Sequence, residues 1–128
     1  MAEVFEFAKK KITIKFPNGN YEVAVDGLLK AQADRTAEWM RAESYRLSEY
    51  TEDISLEEAD KIIRETDKII MDKIDELLGK GAISDILGER INAPTIVLHS
   101  DICDVMGFIL GCITKAWDEL LTSRRKRI

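Results

Sequence analysis

Few residues in this chain have side chains suited to chemistry. There is one histidine, His99, followed directly by Ser100 and Asp101. Adjacency does not make a triad, because nucleophile, base and orienting acid must converge in space. A lone imidazole without a nearby Ser or Cys nucleophile reads as structural, and Ser100 and Asp101 read as the N-cap region of the last helix. Cys103 and Cys112 lie nine residues apart in that helix. They fall on opposite faces, about 13 Å apart along the axis, and a disulfide needs Cα atoms within about 7 Å. With no second pair and no accompanying histidine, a metal site is not expected. Two unpaired thiols suit a reducing cytosol.

The carboxylates offer more. Glu57 and Asp60, Asp72 and Asp75, and Asp101 and Asp104 are each three apart, so each pair shares a helix face. Carboxylates on facing helices are how all-helical nucleotide pyrophosphohydrolases hold Mg²⁺ near phosphates, since hard cations take oxygen ligands. That activity, through Glu57, Asp60, Asp72 and Asp75, is one alternative. Against it, the pairs are interleaved with Lys and Arg, and Asp67, Lys68, Asp72 and Lys73 read as one solvated face. No Gly-rich phosphate loop or Arg cluster accompanies them. Catalytic residues, cofactors and metal ligands are therefore all left unassigned, and the chain reads as non-enzymatic.

The strongest signal is apolar. On a helix, Ile102, Val105, Met106, Ile109, Ile113, Ala116, Trp117 and Leu120 form one core stripe. Phe108 and Cys112 widen it on one flank; Cys103, Leu110 and Leu121 widen it on the other. The arc then covers roughly 220°, against the ~100° of a single core-facing stripe. Such a helix needs two neighbours, and a second copy of the chain is expected to supply one. Gly107 and Gly111 lie opposite the main stripe, each costing about 1 kcal/mol relative to Ala, a cost that fits close approach by another helix. Trp39 stands about 100° from Met40, near a boundary, where a Trp anchors an interface or covers an apolar sheet face. The candidate interface residues are thus Gly107, Phe108, Leu110, Gly111 and Trp39.

These residues need a scaffold, and 128 residues are enough for one domain with its own core. A hydrophobic content of 45% with 34% charged residues describes a folded, soluble chain. The net charge of −5 argues against general nucleic-acid binding. The basic run Arg124 to Arg127 nevertheless keeps a small DNA-binding regulatory protein as a second alternative. The start, Met1-Ala2-Glu3-Val4, lacks the basic and apolar segments of a signal peptide. The apolar run Val105 to Ile113 is about half of the ~20 residues a membrane span requires. A cytoplasmic location without membrane contact is expected.

The predicted fold is α+β, mostly α, with an N-terminal β-hairpin packed on a three- to four-helix core. Its parts are the hairpin region 1–26, the helical region 27–123 and a basic tail 124–128. Asn18-Gly19 signals a type I′ turn pairing Phe16 with Tyr21, Ile14 with Val23 and Ile12 with Val25. Val4, Phe5 and Phe7 suggest a third strand. Asp26 caps a helix to about Leu47, and Ser55 with Glu58 forms a capping box opening a second that stops at Gly79. Residues 79–94 read as a loop around one helical turn near Ile83 to Leu87. The last helix begins between Thr95 and Asp101.

This order of parts resembles the small tail assembly chaperones of long-tailed phages and prophages of Gram-positive bacteria. The likeness spans the hairpin, the helix with Trp39, the long helix from Ser55, the Gly-containing loop and Asp101-Ile-Cys-Asp-Val-Met-Gly-Phe-Ile. Its most familiar stretch runs from Gly88-Glu-Arg-Ile-Asn to Phe108-Ile109. The resemblance implies a role in the host cytoplasm: binding the tape-measure protein, shielding its hydrophobic helices and helping tail-tube subunits gather round it. It also implies self-association and, in many members, a frameshifted longer form. It carries no catalytic signature and therefore no functional residue.

Overall fold

The computed structural model describes residues 3, 5–49 and 54–126. Strands β1 (Lys10–Phe16) and β2 (Gly19–Val25) form an antiparallel hairpin. Helices α1 (Gly27–Glu49) and α2 (Leu56–Leu78) follow, then a short α3 (Ala82–Leu87) running into a 3-10 turn (Gly88–Asn92), and finally α4 (Thr95–Lys126). The fold is α+β and mostly helical, with the hairpin at its N-terminal end. The helix starts are those the capping residues dictate. Asp26 Oδ1 accepts from the Leu29 amide at 2.8 Å, and Ser55 Oγ from the Glu58 amide at 3.1 Å. Gly79 ends α2, its amide donating to the Asp75 carbonyl.

Two expectations about the sheet are corrected. The observed register pairs Ile12 with Val23, Ile14 with Tyr21 and Phe16 with Gly19, two residues away from the expected one. The turn closes over Pro17-Asn18, not Asn18-Gly19, and neither Asn18 nor Gly19 has positive φ. Proline explains the slip: it presets φ for the first corner of a turn and has no N–H to give a ladder. A two-residue shift keeps every side chain on its face, so Ile14, Val23 and Val25 are still buried. Phe16 and Tyr21 still touch edge to face, at 5.9 Å between centroids. Among the described residues no third strand is formed: Phe5 and Phe7 are each 79% exposed and pack on each other, while Val4 lies outside the described residues.

The core is organised on α4. Leu98, Ile102, Met106, Ile109, Ile113 and Ala116 recur every three or four residues and are all buried. Against them pack Ala33 of α1, Ile70 and Ile74 of α2, Ile83 and Leu87 of α3 and the apolar face of the hairpin. The wide arc of α4 therefore finds several neighbours within its own chain. The helix begins at Thr95, so Ser100 and Asp101 lie inside it and do not cap it. Over Thr95–Ser123, with a mean hydropathy of 1.8, α4 is long and apolar enough to cross a membrane. The core helix of a folded protein meets the same criterion, and here the stripe faces other elements of the chain. α4 also continues through Arg124 and Arg125 to Lys126, into the expected tail.

A Cβ built at Gly19 would meet nothing within 4 Å. Gly19→Ala is therefore expected to leave stability unchanged or raise it by up to about 1 kcal/mol. A type I′ turn would instead lose stability on this change. Urea denaturation of the two proteins distinguishes the registers.

Candidate functional site

The sequence-assigned residues are scattered. Among the carboxylates, Asp75 is a fold element: its two oxygens accept from the Gly81 amide at 3.1 Å and the Ile83 amide at 3.0 Å. These are donors that α3 leaves open at its start, where Gly81 sits at φ +82°. Asp60 bonds Arg64 at 2.8 Å and accepts from the Thr95 hydroxyl, tying α2 to the start of α4. The Thr95 hydrogen bond, followed by that of Arg64, holds its carboxyl below the usual range. Asp101 pairs with Arg90 at 3.0 Å. Glu57, Asp60, Asp72 and Asp75 all lie on one helix, and among the described residues no three His, Cys, Asp or Glu side chains gather as a group that could hold a metal ion.

The interface candidates fall on two surfaces. Phe108 is 51% exposed, its ring edge-on to Phe16 at 5.6 Å. Leu110 is half-buried against the core. Gly107 and Gly111 are exposed, and a Cβ at either would meet nothing within 4 Å. Close approach by another helix of the same chain is thus corrected: both glycines point away from the core that covers the opposite side of α4. A shallow open trough of about 790 Å³ runs beyond them, lined by Leu110, Gly111, Thr114, Lys115, Asp118 and Thr122 among others. Trp39 is half-buried on the core, with the Lys73 ammonium 5.1 Å from its ring centroid.

A different group converges. His99 Nδ1 lies 2.5 Å from Asp67 Oδ1, and His99 Nε2 lies 3.7 Å from Cys103 Sγ. Asp67 is not on a solvated face; it is 4% exposed, and its Oδ2 has no hydrogen-bond partner among the described residues. The signal was in the spacing. Asp67 falls on the stripe of Ile63, Ile70 and Ile74, and His99 and Cys103 are four apart on a helix that starts at Thr95. The reading of Cys103 as lacking an accompanying histidine is corrected by that early start. Burial pushes the Asp67 carboxyl up, opposed by the hydrogen bond and charge of His99. Burial also raises the Cys103 thiol, with the Asp67 and Asp104 carboxylates adding to it.

The order Asp67, His99, Cys103 matches an acid–base–nucleophile relay in connectivity but not in electrostatics. A nucleophilic thiol is activated by a lowered pKa, and this one is raised. Cys103 also sits in mid-helix, where backbone amides are committed to the helix and cannot form an oxyanion hole. Beside it, Glu43 accepts from Arg46 at 2.8 Å, with the Thr66 hydroxyl 3.4 Å away. The Arg46 hydrogen bond is the largest influence lowering the Glu43 carboxyl.

The second feature is an apolar groove at the same end of the helices. It holds about 370 Å³ between α1, α2 and α4, lined by Leu47, Ile54, Ala59, Ile62, Ile63 and Ile96, with His99 at its inner wall. A continuation of about 300 Å³ reaches Leu56 and Pro94. Leu56 is 90% exposed and Ile96 76%. Sequence periodicity placed these residues on helices but could not show that the helices part here. Comparison of the chain with protein-family models, curated proteins and solved structures finds no match.

Removing the Asp75 carboxylate leaves the Gly81 and Ile83 amides without their acceptor. Asp75→Ala is expected to cost about 1–2 kcal/mol, read as a lower urea midpoint at unchanged slope.

Proposed function

We propose that this chain is a non-enzymatic assembly chaperone that shelters an apolar helix of its partner in the groove between α1, α2 and α4. The observation that carries this reading is the groove itself, with the exposed Leu56 and Ile96 at its rim. An amphipathic helix laid in an apolar groove is a recurring mode of peptide recognition, anchored by side chains every three or four residues. The resemblance to phage tail assembly chaperones supplies the occupant, a hydrophobic helix of the tape-measure protein, and the setting, the host cytoplasm. The roles of Asp60, Asp75 and Asp101 in holding helix ends and loops support a structural assignment of the acidic pairs over metal-dependent hydrolysis.

Self-association belongs to the same reading. The outer face of α4, with Phe108, Leu110, Gly107 and Gly111, lies apart from the groove residues on the chain and is open at its glycines, with Thr114, Lys115 and Asp118 continuing it. A second copy seated there would leave the groove to the partner.

Co-expression with the tape-measure protein of a long-tailed phage tests the groove. The wild type is expected to keep that protein soluble and co-purify with it, and Ile63→Asp with Ile96→Asp to lose both effects while staying folded. A tape-measure protein equally soluble with and without this chain overturns the proposal. Light scattering tests self-association: a dimer or larger species is expected, reduced to monomer by Phe108→Asp or Leu110→Asp. A monomeric wild type at tens of micromolar overturns that part.

A further inference from the structure

We propose that the N-terminal arm and β1 form a surface for single-stranded nucleic acid, with Phe5 and Phe7 as platforms for bases and Lys9, Lys11 and Lys15 as partners for phosphates. Strand geometry sets the row. Ile12, Ile14 and Phe16 of β1 turn toward the core, so alternation turns Lys11, Thr13 and Lys15 outward, and all three are exposed. Upstream of the strand the same odd positions are Lys9, Phe7 and Phe5, each exposed as well. The cross-strand neighbours Ala24, Glu22 and Asn20 of β2 are exposed too, so this face of the hairpin is open to solvent.

The aromatic pair decides the class of partner. Phe5 and Phe7 are each 79% exposed and meet edge to face, with 4.9 Å between centroids. Rings standing in water contribute nothing to the fold. Exposed aromatics beside a basic track are what single strands bind, because every base has a face to stack and its phosphates need cations. An acidic protein would use the lysines and leave the rings without a role. A duplex would do the same, since its bases are already stacked on one another.

Tertiary structure brings a second basic run to the same end of the molecule. Lys10 pairs with Glu119 of α4, which neutralises that carboxylate and fixes the start of β1 beside the last turns of the helix. Arg124, Arg125 and Lys126 follow Glu119 on α4, about 7.5–10.5 Å further along its axis. Among the described residues Lys9, Lys11 and Lys15 have no carboxylate partner, so their charges are available to a ligand. Glu6, between the two rings, and Glu22, opposite Thr13, oppose phosphate and make binding sensitive to salt. The net charge of −5 arises mainly from carboxylates between Asp34 and Asp104. Screening over about 10 Å at 0.1 M salt limits their reach to this end. This inference is independent of the groove and of the assembly reading.

The test is the fluorescence anisotropy of a labelled oligothymidylate titrated with the full-length protein over a salt series. Saturable binding is expected at about 50 mM salt, with log affinity falling against log salt by about 0.7 for each phosphate neutralised. Phe5→Ala with Phe7→Ala should weaken binding at least about fivefold, the lower end for loss of one stacked base, at an unchanged salt slope. Lys9→Gln with Lys11→Gln should weaken it and also reduce the slope by about 1.4. Lys61→Gln, on the N-terminal half of α2, should alter neither. The replaced side chains are exposed, so every variant is expected to unfold at the wild-type urea midpoint. No saturable binding up to about 100 μM protein at the lowest salt, or an affinity untouched by either paired change, overturns the proposal. Tighter binding to phosphatidylserine vesicles than to the oligonucleotide also overturns it, assigning the row to a membrane surface instead.

Discussion

The stripe of Leu98, Ile102, Met106, Ile109, Ile113 and Ala116 on α4 is the surface against which the rest of the molecule is assembled. Four of these side chains are entirely removed from solvent, and each such burial contributes about 1.5–3 kcal/mol. Every other element is short of partners without it. A two-stranded hairpin is marginal alone, and this one gains its stability by laying Ile14, Val23 and Val25 on the helical core. The six residues of α3 are too few to form a helix independently. They are held by Ile83 and Leu87 in the core and by the carboxylate of Asp75 at their start.

Packing is uneven along the helices. The C-terminal half of α2 and the hairpin pack on α4, and α3 is held against α2. The buried residues of α1 are Ala33 and Thr36, and those of α2 begin only at Thr66. Beyond those points neither α1 nor α2 has a fully buried residue, and the apolar groove lies between α1, α2 and α4. The relay of Asp67, His99 and Cys103 sits at the boundary of the two regimes, joining α2 to α4 by polar contacts where apolar packing gives out. A buried carboxylate is costly unless it is paired and hydrogen-bonded, which makes the position of His99 a structural requirement.

One end of the molecule is closely packed, and the other leaves Leu56 and Ile96 exposed. Apolar side chains such as Leu56 and Ile96 gain nothing from the fold when they stand in water, and an occupant of their own kind would cover them. The outer face of α4 differs in character. It combines a half-exposed Phe108 with glycines that leave the backbone open, a surface suited to a flat contact between helices.

Much of the scaffold was legible in the sequence because it depends on local rules. Asp26, Ser55 with Glu58, and Gly79 fixed helix ends through hydrogen bonds within one turn, and the period of α4 named most of its buried stripe. The alternation of Ile12, Ile14, Phe16, Tyr21, Val23 and Val25 identified the hairpin face, although a proline at a turn corner moved the register by two. The convergence of Asp67, His99 and Cys103 and the opening of the groove were not legible. Both depend on where α2 lies across α4, a relation set by side chains more than 30 positions apart. Charge pattern alone placed Asp67 with the lysines around it, whereas its rotation on the helix, decided by the burial of Ile70 and Ile74, put it inside. Local hydrogen bonds and periodicity determine which elements form and which face each one buries; only the packing of those faces decides which polar groups are brought together and which apolar ones are left without a partner.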